Sequence, residues 1–175
     1  MLELYRELTV NQYLASFATL ADCINQCPDT CWQAPVGNHA FDQVVFHTLF
    51  FADVYLSVDL ATAQQQAFHA THAAIFNGYE ELEDHIPQRH YPRDFLLTYL
   101  EHCRLKAATV VAAETEESLS VRPGFDWQQF SRGELHVYNI RHIHHHVAQL
   151  SLCLRRDQKI GIKWHRSGWP NDPVA

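Results

Sequence analysis

At 175 residues and 20.3 kDa, the chain has the length of one domain with a core large enough to hold a site rigidly. Its composition is 47% hydrophobic and 19% charged, which is ordinary for a packed globular protein and excludes a disordered chain. The formal net charge of -7 offers no positive surface for a phosphate backbone, so we expect no nucleic-acid partner. We expect residues 1–175 to form a single domain with an irregular tail from about residue 161.

Nothing in the sequence indicates a membrane or secreted protein. It contains no apolar run of about 18 residues, and its start carries acidic residues where a signal peptide is basic and then apolar. The five cysteines form an odd set whose spacing does not resemble a disulfide framework, so we interpret them as reduced thiols. These features predict a cytoplasmic protein without a membrane partner. The cysteines are Cys23, Cys27, Cys31, Cys103 and Cys153.

Four long segments carry apolar residues at helical spacing, which predicts an all-α fold. Pro28 ends the first segment, Asn38 is a good N-cap for the second, and the sequence from Ser131 to Glu134 has the form of a capping box before the fourth. The predicted helices run from Leu2 to Gln26, from about His39 to Leu60, from Phe95 to Glu117 and from Glu134 to Ile160.

The stretch from about Ala61 to Arg89 is the least regular part of the chain. We expect it to be a long crossover with one short helix between the second and third long helices. Four such helices without credible strands predict a four-helix bundle, whose connectivity the pattern leaves open. An acidic cluster in the crossover is typical of a solvated face, and it consists of Glu80, Glu81, Glu83 and Asp84.

Two of the 13 histidines stand one helical turn apart in the fourth helix. His142 and His146 are separated by about 40° around the helix axis, so both imidazoles project from one face and can share an ion. That face also carries Leu135 and Cys153, so we expect it to point into the bundle and the pair to be buried. His144 lies about 160° around the helix from each member of the pair and should face away.

A third ligand is expected from another helix, and His47 lies on an apolar stripe of the second helix. Three neutral imidazoles suit zinc, nickel, copper or ferrous iron and leave positions open for water or substrate. A rotation of the fourth helix would put His145 in place of His146, so the register stays open. We interpret the other histidines as surface or loop residues: His39, His69, His72, His85, His90, His102, His136 and His165.

Competing sites have less support. No histidine has a glutamate three residues before it, so the di-iron carboxylate pattern is missing. Pro28 interrupts the row of Cys23, Cys27 and Cys31, which favours buried thiols over a second zinc site. A nucleophile elbow and a glycine-rich phosphate loop are both absent from the sequence.

Two segments resemble the DinB superfamily of metal-dependent helical bundles, which includes YfiT-like and thiol-dependent transferase branches. The segment from Val45 to Leu56 looks like the family's second-helix histidine segment, and His142-x-x-x-His146-Val147-Ala148-Gln149 resembles its last-helix signature. The resemblance implies that His47, His142 and His146 bind the metal. Many members have Arg-Gly where this chain has Val147-Ala148, which leaves the branch open.

The resemblance implies a metal-dependent enzyme with one divalent ion, zinc or nickel ahead of iron or manganese. It suggests a small-molecule substrate and a transferase or isomerase reaction that uses a low-molecular-weight thiol. The alternatives are a non-catalytic or stress-associated metal-binding bundle and a metal-independent helical interaction module. We also expect a homodimer, because four residues of the second helix fall outside the His47 stripe and need cover. They are Phe46, Leu49, Phe50 and Tyr55.

Overall fold

Helices dominate the structure, as the apolar spacing predicts. A computed structural model of the protein describes residues 1–83 and 87–170. The described residues also form one two-stranded antiparallel sheet, β1 (Pro35–Val36) with β2 (His39–Ala40). The helices are α1 (Leu2–Gln26), α2 (Phe41–Leu56), α3 (Leu60–Gln64), α4 (Ala67–Thr71), α5 (Ala73–Phe76), α6 (Arg93–Ala113), α7 (Glu116–Ser120) and α8 (Arg132–Gln158).

Each of the four long helices packs against two of the others. Helix α1 contacts α6 and α8, and helix α2 contacts the same two helices. Their facing stripes form the core, in which aromatic residues such as Tyr13, Phe17 and Tyr99 are fully buried. The packing sets His47 of α2 opposite His142 and His146 of α8. No helix within the described ranges is long and apolar enough to cross a lipid bilayer.

Helix α1 has the predicted bounds, and its end is fixed by both local and distant residues. Cys27 is extended and Pro28 follows it, so the helix cannot continue. The guanidinium of Arg93, from α6, donates to the carbonyl oxygens of Ile24 and Cys27 (2.7 Å for Cys27). These contacts satisfy two of the carbonyls that a helix end leaves without partners.

The predicted start of the second helix is wrong, because Asn38 belongs to a hairpin turn and not to an N-cap. Gly37 and Asn38 connect β1 to β2, and Gly37 has a φ of +68°. A positive φ at the first turn position favours glycine and matches the twist of a two-residue hairpin. Helix α2 therefore begins at Phe41, with Ala40 as its N-cap residue.

The third predicted helix ends earlier than expected, at Ala113, because Glu114 is drawn into a buried ion pair. Its backbone is extended, and its carboxylate accepts from Arg132 Nε (2.5 Å) and His136 Nε2 (3.1 Å) of α8. The separate helix α7 then starts after Thr115, whose hydroxyl accepts from Ser118 N. Helix α8 starts two residues before the predicted Glu134, and Ser131 Oγ accepts from Glu134 N (3.2 Å).

The described residues of the crossover contain three short α-helices instead of the single one predicted. The crossover covers α2: Phe46 packs against Phe76 of α5 (ring centroids 6.0 Å apart) and stacks on Tyr91 (3.9 Å). Phe46, Leu49, Phe50 and Tyr55 are all buried within one chain. The surface that motivated the homodimer is therefore absent on these residues, and the dimer itself stays a prediction. Asp84 and His85 lie outside the described residues.

The tail is not helical from residue 161 to residue 170, as expected. It runs along α1, where Gly168 N donates to Asn11 O (3.0 Å) and His165 Nε2 contacts Asp22 Oδ2 (2.8 Å). Trp169 lies under the guanidinium of Arg104 (5.0 Å). These contacts place the described part of the tail on α1 and α6. Pro173 lies outside the described residues.

Candidate metal centre

Three histidine side chains meet where α2 faces α8. One ring nitrogen from each of His47, His142 and His146 lies within 4.8 Å of one nitrogen from each of the other two. The ring centroids are 4.7 Å apart for His47 and His146, 4.7 Å for the α8 pair, and 5.5 Å for His47 and His142. This group could hold a metal ion through three imidazole nitrogens.

The α8 pair is half-buried, so the predicted burial is wrong in degree. The deepest stripe of α8 runs through Asn139, Ile143 and Val147, and each histidine precedes one member of that stripe by a single residue. One residue is about 100° around a helix, so the imidazoles lie at the edge of the α2–α8 contact. That position leaves them reachable from solvent.

His47 occupies a corresponding edge position on α2. Every residue of that helix is buried except His47 and Phe51, which are half-buried. The ring of Phe51 lies beside both His47 (4.9 Å) and His142 (5.7 Å). The part of α2 that is not fully buried therefore lies at the three-histidine group.

The electrostatics of the α8 pair favour neutral imidazoles. Burial, followed by the proximity of His146 and His47, lowers the pKa of His142 to about 3. Burial, followed by the proximity of His47, lowers the pKa of His146 to about 4. A metal ligand must offer an unprotonated nitrogen, so both side chains are in the binding form at pH 7.

Hydrogen bonds leave suitable nitrogens for a metal. His47 Nδ1 donates to Glu81 Oε2 (2.8 Å), and His146 Nδ1 pairs with Gln149 Oε1 (2.9 Å), so the Nε2 atom of each ring is left for an ion. His142 Nδ1 is buried without a hydrogen bond to any described residue. Buried polar atoms normally have partners, and a coordinated ion would supply the missing one. The donor set thus fits a divalent metal.

Two clefts flank the group. One, of about 260 Å³, lies between the hairpin and the two helices, and His39 and Asn38 line it together with His47 and His146. The other, of about 500 Å³, lies beside His142. A small molecule therefore has access to the group from two sides. The second cleft is also lined by Tyr138, Arg141, His144 and His145.

The other two histidines of the cluster on α8 lie outside the group of three. His144 stacks on Trp164, with ring centroids 5.5 Å apart. His145 is exposed, and its Nε2 lies 3.2 Å from Gln149 Nε2. The group contains His146, as the facing angle favours, and not the alternative His145.

The interpretation of the remaining histidines as surface or loop residues is wrong for two of them, which are buried in helices. His69 is buried, and its Nε2 donates to Asp53 Oδ2 (2.8 Å). His136 is buried between Glu114 and Tyr13. Both occupy positions where a distant carboxylate or hydroxyl satisfies the ring, which helical spacing alone does not reveal. His90 is exposed, and half-buried positions are held by His39, His72, His102 and His165.

The acidic cluster is only partly exposed to solvent, whereas the sequence predicts a solvated face. The side chain of Glu81 is only 4% exposed and lies against His47, whereas Glu83 is exposed. Glu80 pairs with Arg89 (3.5 Å) at the surface. The sequence offers no periodic signal for Glu81, because the residue sits in a 3-10 turn within the crossover.

Comparison of the chain with protein-family models, curated proteins and solved structures gave no match. Membership of the DinB superfamily therefore remains a prediction, and the function has to be argued from the geometry of the histidines and the clefts.

Proposed function

We propose that the protein binds one divalent metal ion through His47, His142 and His146 and acts as a metal-dependent enzyme of the DinB-like type. The observation that carries the proposal is the convergence of three imidazole nitrogens from two helices within 4.8 Å. Zinc and nickel are the ions we expect first, because neutral imidazole nitrogen suits both, with iron or manganese next. The mutual packing of α1, α2, α6 and α8 supports the four-helix bundle expected of such a protein.

Access to the group favours catalysis over a structural role. Structural zinc sites are closed by four protein ligands, whereas catalytic sites keep a position open. Here three histidines form the group, and clefts of about 260 and 500 Å³ reach it. A bound divalent ion would lower the pKa of a water or thiol or polarise a carbonyl.

The polar residues of the smaller cleft are placed to orient a substrate. His39 and Asn38 of the hairpin face the same space as His47 and His146. A small molecule held there would lie beside the ion with hydrogen-bonding groups around it. The reaction we propose is transfer or isomerisation with a low-molecular-weight thiol as cosubstrate.

Metal content tests the binding step. Untagged protein should contain about one equivalent of metal by elemental analysis after mild dialysis, or take it up from zinc or nickel solution. His144→Ala is the matched control, since His144 lies outside the group and faces Trp164. A protein that stays metal-free after both treatments refutes the proposal.

Activity of the loaded protein tests the second step. We expect turnover of an electrophilic substrate with at least one small thiol, and loss of turnover after chelation. Stoichiometric metal without any thiol-dependent reaction would favour the non-catalytic alternative, a metal-binding helical protein.

A further inference from the structure

Glu81 is the acidic residue of the crossover that turns inward. Its side chain is 4% exposed, and its Oε2 accepts a hydrogen bond from His47 Nδ1 at 2.8 Å. Because an ionised carboxylate only accepts, the proton of that ring must be on Nδ1. The lone pair of Nε2 is then the one that a metal can use.

The described residues compensate the burial of this carboxylate only in part. Glu81 Oε1 is buried without a hydrogen bond to any described residue, although burying a carboxylate is costly unless it is fully paired. The half-paired carboxylate contacts His47 of the three-histidine group. Such an arrangement suits a carboxylate that accepts a hydrogen bond from a metal-ligating histidine. The carboxylate would hold the imidazole ring, and a bound ion would add positive charge nearby.

A turn in the crossover determines where Glu81 lies. Gly78 and Tyr79 are consecutive left-handed residues, with φ of +90° and +49°, and they reverse the chain immediately before the 3-10 turn of Glu81. A left-handed conformation is unfavourable for tyrosine, so other contacts must hold it.

Those contacts lead back to α2. Tyr79 Oη lies 2.8 Å from His69 Nδ1, and His69 Nε2 donates to Asp53 Oδ2 at 2.8 Å. Asp53 and His47 belong to the same helix. The turn that carries Glu81 is thus anchored to the helix that carries its partner.

We propose that Glu81 is a positioning residue of the metal centre, which fixes the Nδ1-protonated form and the orientation of His47. The inference rests on the proposed metal-binding function. Loss of such a carboxylate partner typically weakens metal binding by about 10- to 100-fold, and we expect this loss for Glu81→Ala. The amide of Glu81→Gln can still accept the hydrogen bond without the charge, so this variant should fall between Glu81→Ala and the unaltered protein.

Zinc affinity, measured by competition with a chromophoric chelator, tests the proposal. Glu80→Gln is the matched control, since the neighbouring Glu80 pairs with Arg89 at the surface, and its affinity should equal that of the unaltered protein. If the unaltered protein binds zinc and Glu81→Ala binds it equally well, the positioning role is refuted while the metal site stands. If the unaltered protein binds neither zinc nor nickel, the proposed function itself fails.

A second measurement needs no variant. It reports which nitrogen of His47 is protonated, a property that a merely structural role of Glu81 would not determine. Long-range ¹H–¹⁵N NMR of the zinc-loaded, unaltered protein should show His47 protonated at Nδ1 and coordinated at Nε2. Coordination through Nδ1 would overturn the proposal, because that atom would then be unable to donate to Glu81. This result decides the question even if Glu81→Ala fails to fold.

Discussion

Replacing Asp53 by asparagine should destabilise the fold strongly. Its Oδ2 accepts from Gln66 Nε2 (2.8 Å), His69 Nε2 (2.8 Å) and Tyr99 Oη (3.0 Å), and its Oδ1 accepts from Lys106 Nζ (2.5 Å). An asparagine must turn its NH₂ group toward one of these donor sets. The change therefore removes the negative charge, and it also brings the NH₂ group of asparagine against another hydrogen-bond donor.

The magnitude follows from the burial of the pair. Asp53 is fully buried and the side chain of Lys106 is 16% exposed. Removing one partner of a buried ion pair costs about 3 to 5 kcal/mol, because the other charge is left uncompensated. Lys106 Nζ keeps its contacts to Asp53 O (2.9 Å) and Ser57 Oγ (2.7 Å), so we expect a loss near the lower end, about 3 kcal/mol.

Urea unfolding of the metal-free protein, followed by circular dichroism, gives the free energy directly. Asp126→Asn is the control, because Asp126 is exposed, and its effect should stay within about 0.5 kcal/mol. The double variant Asp53→Asn/Lys106→Met should recover part of the loss, since the uncompensated ammonium is then gone. A loss below about 1 kcal/mol for Asp53→Asn would refute the reasoning.

Three further predictions concern the three-histidine group, the stability of the protein at low pH and its oligomeric state. His142→Ala and His146→Ala should each lose the metal in elemental analysis while His144→Ala keeps it, and equal loss in all three would mean that the group is wrong. The pKa values of about 3 and 4 for His142 and His146 lie below the ordinary 6.5, so below pH 6.5 the unfolded chain binds protons that the folded protein does not. The free energy of unfolding of the metal-free protein should therefore fall as the pH drops from 6.5 toward 4, less steeply in His142→Ala. The homodimer should appear in light scattering as twice the chain mass of 20.3 kDa, and a mass near 20.3 kDa would refute it.

The sequence predicts the metal centre where the signal is local. The spacing of His142 and His146 is a property of one helix turn, and His47 stands out because it interrupts an apolar stripe. The depth of the pair could not be predicted, because it depends on how α8 is rotated against α2. Asn38 was misassigned because a good N-cap residue is also a good turn residue, and the adjacent Gly37 decides for the hairpin.

The sequence does not reveal the buried carboxylates in the same way. Glu81, Glu114 and Asp53 each bind partners from other elements of the chain, so no spacing rule connects them. Of these three carboxylates, only Asp53 has a sequence context that indicates a buried charge. It lies between apolar residues in the segment Phe51-Ala52-Asp53-Val54-Tyr55, and a charge in such a stretch must find an opposite charge or hydrogen-bond donors.

The almost complete burial of α2 has a consequence for how the protein is made. Helix α2 is covered by α6, by α8 and by the crossover, all of which follow it in the chain. During synthesis its aromatic side chains leave the ribosome well before their cover, since domains are made from the N-terminus at about 5 to 20 residues per second. For several seconds the nascent chain therefore exposes an apolar helix, and the three-histidine group can form only after α8 has emerged.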